Sequence, residues 1–217
     1  MKSKVLLLAL ATTAFALTAK AQVSFGLRAG INFQNLNGKD YSGDDLKNDL
    51  KAGFHIGANV EIGFAPDFYL QPGVLISTKG AKQDDPTSSD DIKINLSYVE
   101  VPVNLLYKPS LGPGKLILGF GPYVAFAVGG KVKQGDDDAD IKFKSEITST
   151  EWSADYYAKR LDVGGNLLFG YELAKKISFQ LNAQLGMSKI NPKIKDFSAD
   201  KSSLKNTGFG ISVGYRF

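Results

Sequence analysis

The sequence predicts an all-β fold, an eight-stranded antiparallel up-and-down transmembrane β-barrel with short turns at one rim and long loops at the other. Three observations carry this. Apolar residues recur with a period of two, in segments near or above the roughly 9–11 residues a tilted spanning strand needs. The connections between those segments alternate short and long. The chain also opens on an export signal, and no later stretch offers the ~18 consecutive apolar residues of a membrane helix.

Composition narrows the choice before any segment is placed. The chain has 217 residues, with 43% hydrophobic and 22% charged, which is ordinary for a folded domain. Glycine (23 residues) and aromatics (11%) are high. The absence of cysteine excludes disulfides, thiolate metal sites and cysteine nucleophiles, and a single histidine, His55, excludes a multi-histidine metal site within one chain. Lys2 and Lys4 precede an apolar run over residues 5–17, and Ala19 and Ala21 place small residues before a cut ahead of Gln22. That pattern predicts a signal peptide over 1–21 and one domain over 22–217. Without the signal's lysines the charge is close to balanced, so nothing argues for a nucleic-acid partner.

The elements follow in order. Val23, Phe25, Leu27, Ala29, Ile31 and Phe33 alternate with Ser24, Gly26, Arg28, Gly30 and Asn32. Phe54, Ile56, Ala58, Val60, Ile62 and Phe64 alternate with His55, Gly57, Asn59, Glu61 and Gly63. Strands are predicted next over 68–79, 92–107, 115–128 and 160–173. Ile177, Phe179, Leu181, Ala183, Leu185 and Met187 then oppose Ser178, Gln180, Asn182, Gln184 and Gly186. The last strand sets Phe209, Ile211, Val213, Tyr215 and Phe217 against Gly208, Gly210, Ser212, Gly214 and Arg216. The alternation slips once: Ile92, Ile94 and Leu96 share the parity of Glu100 rather than of Val99, which predicts a bulge or a strand end projecting above the membrane. Pro102 and Pro122 lack a ladder donor and predict bulges or strand ends. Connections over 65–67, 108–114 and 174–176 are short; those over 34–51, 80–91, 129–159 and 188–205 are long and polar.

A soluble sandwich would alternate too, with its apolar face inward. Strand length argues for lipid, since globular strands average about 5–6 residues. So do the aromatics near strand ends: Phe25, Phe64, Phe68, Tyr107, Tyr171 and Phe217 toward one rim, and Phe33, Phe54 and Phe126 toward the other. The small Gly, Ser and Asn residues of the opposite face suit the narrow interior of eight strands. Closure follows because an open sheet edge cannot stay unpaired in hydrocarbon. The expected location is the outer membrane, after cleavage near Ala21, with the long loops outside.

Several segments carry a resemblance. They are Gly26-Leu27-Arg28-Ala29-Gly30-Ile31-Asn32, Tyr98-Val99-Glu100-Val101-Pro102, Gly121-Pro122-Tyr123, Asp162-Val163-Gly164-Gly165 and Gly170-Tyr171-Glu172. With them the chain resembles, over residues 22–217, the PorT-like family of outer-membrane β-barrels, also labelled porin family proteins. The final Tyr215-Arg216-Phe217 resembles a barrel-assembly signal, with Phe217 as its terminal aromatic. The resemblance implies fold and location. The family's namesake is associated with a secretion and gliding machinery, and most of its members have no assigned activity.

The candidate site is a set of inward charges: Arg28, Arg160 and Arg216 with Glu61, Glu100, Asp162 and Glu172. Buried charges must pair, so they predict a salt-bridge network plugging the lumen; a gated path for small solutes or protons is the sharper alternative. His55 near the outer rim is a packed histidine, or a general base with loop residues such as Asp49, Ser42 or Asp84. The run Asp136, Asp137, Asp138 and Asp140 is a solvated loop tip or a weak divalent-cation binder beside lipopolysaccharide phosphates. Trp152, Tyr156 and Tyr157 form a recognition patch or a strand extension packed on the rim. The expected function is non-enzymatic, without cofactor or metal, through the extracellular loops or as an envelope or secretion-machinery component. A passive small-solute channel is the alternative, with a lipid A-modifying enzyme behind it. Expected partners are outer-membrane lipid and lipopolysaccharide, the barrel-assembly machinery and secretion-system components.

Overall fold

A computed structural model describes residues 22–85, 90–174, 176–196 and 200–217. The signal-peptide expectation for 1–21 lies outside them. In chain order the elements are β1 (Val23–Lys39), β2 (Lys51–Ala65), β3 (Phe68–Gln83), β4 (Ile92–Tyr107), β5 (Ser110–Leu111), β6 (Gly114–Gln134), β7 (Asp137–Phe143), β8 (Glu146–Ile147), α1 (Ser149–Ala154), β9 (Tyr156–Ala158), β10 (Leu161–Leu173), β11 (Ile177–Gly186), β12 (Lys193–Ile194) and β13 (Ser203–Arg216). Eight of them close a ring in the order β1-β2-β3-β4-β6-β10-β11-β13, and β13 returns to β1. Every pairing around the ring is antiparallel. The expected barrel is the observed one. No described helix is long and apolar enough to cross a membrane, which says nothing of a barrel that crosses with strands.

The faces are sorted as lipid requires. Ile31 stays 57% exposed and Leu181 54%, while Glu61 and Asp162 are 1% and 0% exposed. A water-soluble fold would invert these values. Each unpaired backbone group in hydrocarbon costs several kcal/mol, so the continuous antiparallel ladder is what permits the apolar outer face. Aromatic pairs stand where strands end: Phe68 stacks on Tyr107 at 4.8 Å, and Tyr215 meets Phe217 edge-on at 5.2 Å, both at the short-turn rim. At the long-loop rim Phe33 stacks on Phe209 at 5.4 Å.

Glycine keeps the ring narrow. A Cβ on Gly57 would lie 2.1 Å from the Val74 carbonyl oxygen, and one on Gly30 would lie 2.2 Å from that of Ile211 and 2.6 Å from the His55 ring. Neighbouring backbone and lumen side chains occupy that space. The tight turn before β3 places Asp67 at φ 62°, a left-handed conformation that Asp tolerates.

Several strands run past their expected ends. β1 continues to Lys39, β3 to Gln83, β6 to Gln134, and β13 starts at Ser203. Above the lipid the outer face need not be apolar, so the hydrophobic alternation fades while the ladder persists. The inner face turns apolar instead: Leu36, Ala81, Leu96, Val132, Ile141, Ala158 and Ile190 pack into one buried cluster. This resolves the parity slip. Leu96 faces inward like Tyr98 and Glu100, and Ile92 and Ile94 pack against the cluster. The bulge sits on the partner strand: Ser97 opposes Gly129 and Tyr98 opposes Ala127, leaving Val128 extra in β6. Pro102 and Pro122 lie within β4 and β6 rather than at their ends. Pairing of β3 with β4 lapses beside Pro102, between Pro72–Val103 and Leu75–Glu100.

The longest loop is structured. β7 pairs antiparallel with β6 and parallel with β9, and β8 pairs parallel with β12. The short helix α1 opens on a capping box, in which Thr148 accepts from the Glu151 backbone N–H and Glu151 accepts from that of Thr148.

Candidate functional site

Alternation places every inward residue of the ring in one narrow lumen, and barrel stagger decides which of them meet. Two ion clusters result. Near the short-turn rim, Lys108 Nζ lies 2.8 Å from Glu61 and 2.7 Å from Glu172. Arg216 bridges the same two carboxylates, donating to Glu61 and lying 3.3 Å from Glu172. Gln71 donates to Glu61 at 3.1 Å. Higher in the lumen, Lys79 Nζ lies 3.1 Å from both Glu100 and Asp162, and it sits over the Tyr123 ring at 4.1 Å. Tyr123 and Asn206 also donate to Asp162, at 3.2 and 2.9 Å. Arg28 is buried in the same lumen at 8% exposure, and among the described residues its Nε and Nη1 make no hydrogen bond. The lower cluster holds two cations and two carboxylates, and the upper one sets Lys79 between two carboxylates, with the buried Arg28 as the fourth cation of the lumen, so among the described residues four cations and four carboxylates share the low-dielectric interior.

Six of the seven expected charges are in the lumen. Arg160 is the exception and corrects the expectation. It precedes β10, is exposed, donates to the Ala127 carbonyl at 3.1 Å and lies over the rings of Phe143 and Phe126. Parity holds only while the ladder does, and the chain turns out of the wall before Leu161. The two central cations, Lys79 and Lys108, escaped the sequence reading. Both have the inward parity of their strands, but each stands at or just past the expected strand limit. Phe217 is 72% exposed, with its backbone N–H on the Phe25 carbonyl at 2.9 Å.

The remaining candidates are placed as follows. His55 is 4% exposed, and its Nδ1 meets Asn32 Oδ1, while Asn32 donates to Ser77 at 3.2 Å. Its hydrogen-bond partner is thus a buried amide, not Asp49, Ser42 or Asp84. The acidic run is an exposed hairpin tip and its flank: Asp136 lies in the turn between β6 and β7, and Lys131 lies 2.6 Å from Asp138 and 3.7 Å from Asp140 across the β6–β7 pair. The Lys131 hydrogen bond holds the Asp138 carboxyl below its usual range. Tyr156 and Tyr157 begin β9, and Trp152 stands on α1, edge-on to Tyr41 at 6.1 Å. Among the described residues no group of three or more His, Cys, Asp or Glu could hold a metal ion.

The arrangement can brace the wall and fill the lumen. The lower cluster blocks the short-turn end, the upper cluster crosses the middle, and the apolar cluster caps the long-loop end. Above that cap, loop segments enclose a cleft of about 580 Å³ lined by Tyr41, Gln83, Trp152, Asp155 and Tyr156, with Leu36 and Ile194 in its floor.

Comparison with known proteins agrees with this architecture. A family model described as outer membrane protein beta-barrel domain matches residues 15–191. No curated protein sequence matches. Among solved structures, Neisserial surface protein A shares 13% identity, with 90% of this chain and 99% of that one covered and a TM-score of 0.46. The outer membrane protein OprG of Pseudomonas aeruginosa shares 13%, covering 91% and 97%, with a TM-score of 0.46. Ail, the attachment invasion locus protein of Yersinia pestis, solved with the heparin analogue sucrose octasulfate, shares 12%, covering 90% and 99%, with a TM-score of 0.43.

Proposed function

From a chain that belongs to the outer membrane protein beta-barrel domain family and resides in the outer membrane, we propose that the barrel is a closed, non-enzymatic anchor that works through its extracellular loops. The observation that carries this reading is the filled lumen. Two ion clusters and an apolar cap lie in series along it. Solute passage would have to break both clusters and part the cap, and an eight-stranded interior is just wide enough for side chains to fill. The loops, by contrast, carry local structure and ion pairs that a mere connection does not need. Lys144 pairs with Glu151, Lys142 lies 2.6 Å from Asp155, and Lys195 lies 3.1 Å from Glu146.

Phe217 serves in this reading as the aromatic end of the assembly signal, bringing the barrel-assembly machinery as a transient partner. Lipopolysaccharide surrounds the finished barrel. The PorT-like resemblance adds an envelope or secretion-machinery component as the partner of the loops.

Recording from planar bilayers tests the closed state. Purified barrel is expected to give no steady conductance, and reproducible openings would overturn the proposal. One observation favours the channel as a second reading. Among the described residues, buried polar atoms without protein partners gather on one wall, among them His55 Nε2, Asn59 Oδ1, Gln180 Oε1 and Ser212 Oγ of β2, β11 and β13. The same recording decides between the two.

A further inference from the structure

We infer that the cleft above the barrel mouth is a binding site for a neutral or amino-bearing glycan. It is a blind site. Its floor includes Leu36 and Ile194, 2% and 7% exposed, and Leu36 belongs to the apolar cap that closes the lumen. Nothing entering it continues into the barrel, so it reads as a place of recognition and not as a channel vestibule. Its volume of about 580 Å³ falls within the ~300–1,000 Å³ of ordinary small-ligand sites.

The lining points to sugar chemistry. Trp152 and Tyr156 of the longest loop and Tyr41 of the loop after β1 converge on the cleft, yet remain 52%, 53% and 54% exposed. Trp152 and Tyr41 meet edge-on at 6.1 Å and with Tyr156 make a clustered exposed aromatic patch, the kind of surface that marks a binding site. The C–H face of a pyranose fits such a surface, and it stacks on an aromatic face without needing a deep apolar pocket. The polar groups beside the rings are also available. Among the described residues the Trp152 indole N–H, the Tyr41 and Tyr156 hydroxyls and the Gln83 amide make no side-chain hydrogen bond, whereas the neighbouring Asn191 is fully engaged with Ser202 and Leu204. Ring faces interleaved with unspent donors and acceptors match alternating C–H faces and hydroxyls. Charge sets the class of sugar. Two lining carboxylates without a lysine partner among the described residues, Asp40 and Asp200, stand beside one lining lysine, Lys39, which is drawn 3.8 Å from Asp45, while the third, Asp155, is paired with Lys142. That balance repels sulfated or phosphorylated chains and favours neutral or amine-bearing ones.

The inference rests on the loop-display reading and is tested separately from it. Trp152 is the chain's single tryptophan, so its emission reports the cleft alone. Folded barrel in detergent would be titrated with chitotetraose, its deacetylated amino form, maltohexaose and a heparin hexasaccharide. Saturable change in Trp152 emission with one of the first three, half-complete at or below about 1 mM, is expected, with heparin weaker by at least about tenfold. Calorimetry with Tyr156→Ala and Gln83→Ala, barrels whose fold is checked by circular dichroism, should show about fivefold or greater loss for each. Three results overturn the proposal: no saturable change with any of the three, tighter binding of heparin, or unaltered affinity in both variants. Bilayer conductance would instead overturn the closed-barrel reading, whatever the glycans do.

Discussion

Lys79 offers the sharpest test of how the lumen is held. It is completely buried and lies 3.1 Å from Glu100 and from Asp162. Lys79→Met keeps the stem's volume and removes the charge. Glu100 and Asp162 then lose the cation they share. Breaking a buried ion pair on one side costs about 3–5 kcal/mol. The lost contact with the Tyr123 ring, at 4.1 Å, belongs to the same deletion and adds up to about 2 kcal/mol when desolvated. A loss of at least about 3 kcal/mol is therefore expected, a hundredfold or more in the folding equilibrium. The balanced double variant, Lys79→Met with Asp162→Asn, leaves Arg28 and Glu100 as equal and opposite charges. It should recover half of that loss or more, because exchanging a buried pair for neutral groups is often close to neutral. The assay is urea unfolding in lipid vesicles, followed by far-ultraviolet circular dichroism. Trp152 would report the loop instead of the wall. A single-variant loss below about 1 kcal/mol, the scale of a surface pair, would refute the buried-network argument, and so would a double variant no more stable than the single.

Other expectations follow from the same geometry. Arg216→Ala removes one of two cations from the lower cluster but leaves the upper cluster and cap, so bilayer recordings should stay silent; steady openings would show that the lower cluster is the only barrier. Gly30→Val should fail to assemble, because its Cβ alone would lie 2.2 Å from the Ile211 carbonyl oxygen. Gly129→Ala, which meets nothing within 4 Å, should fold normally, and equal yields of the two heat-modifiable bands on gels would contradict this. Acid should loosen the longest loop. The Lys144 ammonium, aided by the Thr148 cap, holds the Glu151 carboxyl below its usual 4.5, and the Lys195 hydrogen bond does the same for Glu146. Both groups contribute stability above the usual carboxylate range and lose it as the pH falls below about 4.5 through their folded values. Trp152 on α1 should shift its emission in that window while barrel dichroism holds, and flat emission down to pH 3 would count against it. Removing the ring with Phe217→Ala should slow assembly in cells while leaving unfolding of the finished barrel nearly unchanged; a large loss of barrel stability would instead make Phe217 a structural residue.

The barrel was legible because lipid enforces a rule at every residue of the spanning strands. Ile211 and Val213 must face out, and Ser212 and Gly214 must face in, so the sequence carries the period directly. Where lipid ends, that enforcement ends too. Residues 34–39, 80–83, 129–134 and 203–208 continue the ladder with mixed outer faces, and from alternation alone they read as loop. The apolar parity of Ile92, Ile94 and Leu96 was the visible trace of this extension, since it marks an inner face that has become a cap. Helix α1 had its own signal in Thr148-Ser149-Thr150-Glu151, a capping box in a loop otherwise too polar to show a period.

The lumen was legible in composition but not in pairing, and the reason is geometric. Parity says which residues are inside; the stagger of neighbouring strands says which are level, and a single sequence does not carry the stagger. Glu61 and Glu172 are 111 residues apart and share Lys108 and Arg216, while Glu100 and Asp162 share Lys79. Nothing local to any of them announces the sharing. A consistency argument could still have narrowed the search for the missing cations. The expected inward set held four carboxylates and three arginines, and Arg160 stands at a strand start, where inward parity is least binding. A sealed interior cannot carry two uncompensated carboxylates, so two more inward cations were required; Lys79, Lys108 and Lys115 all have inward parity near strand ends, and the structure takes the first two into the lumen while Lys115 pairs with Asp67 in the turn before β3. Charge neutrality of the lumen is thus a constraint of the same standing as hydrophobic alternation of the wall, and the two together say more about a small barrel than either does alone.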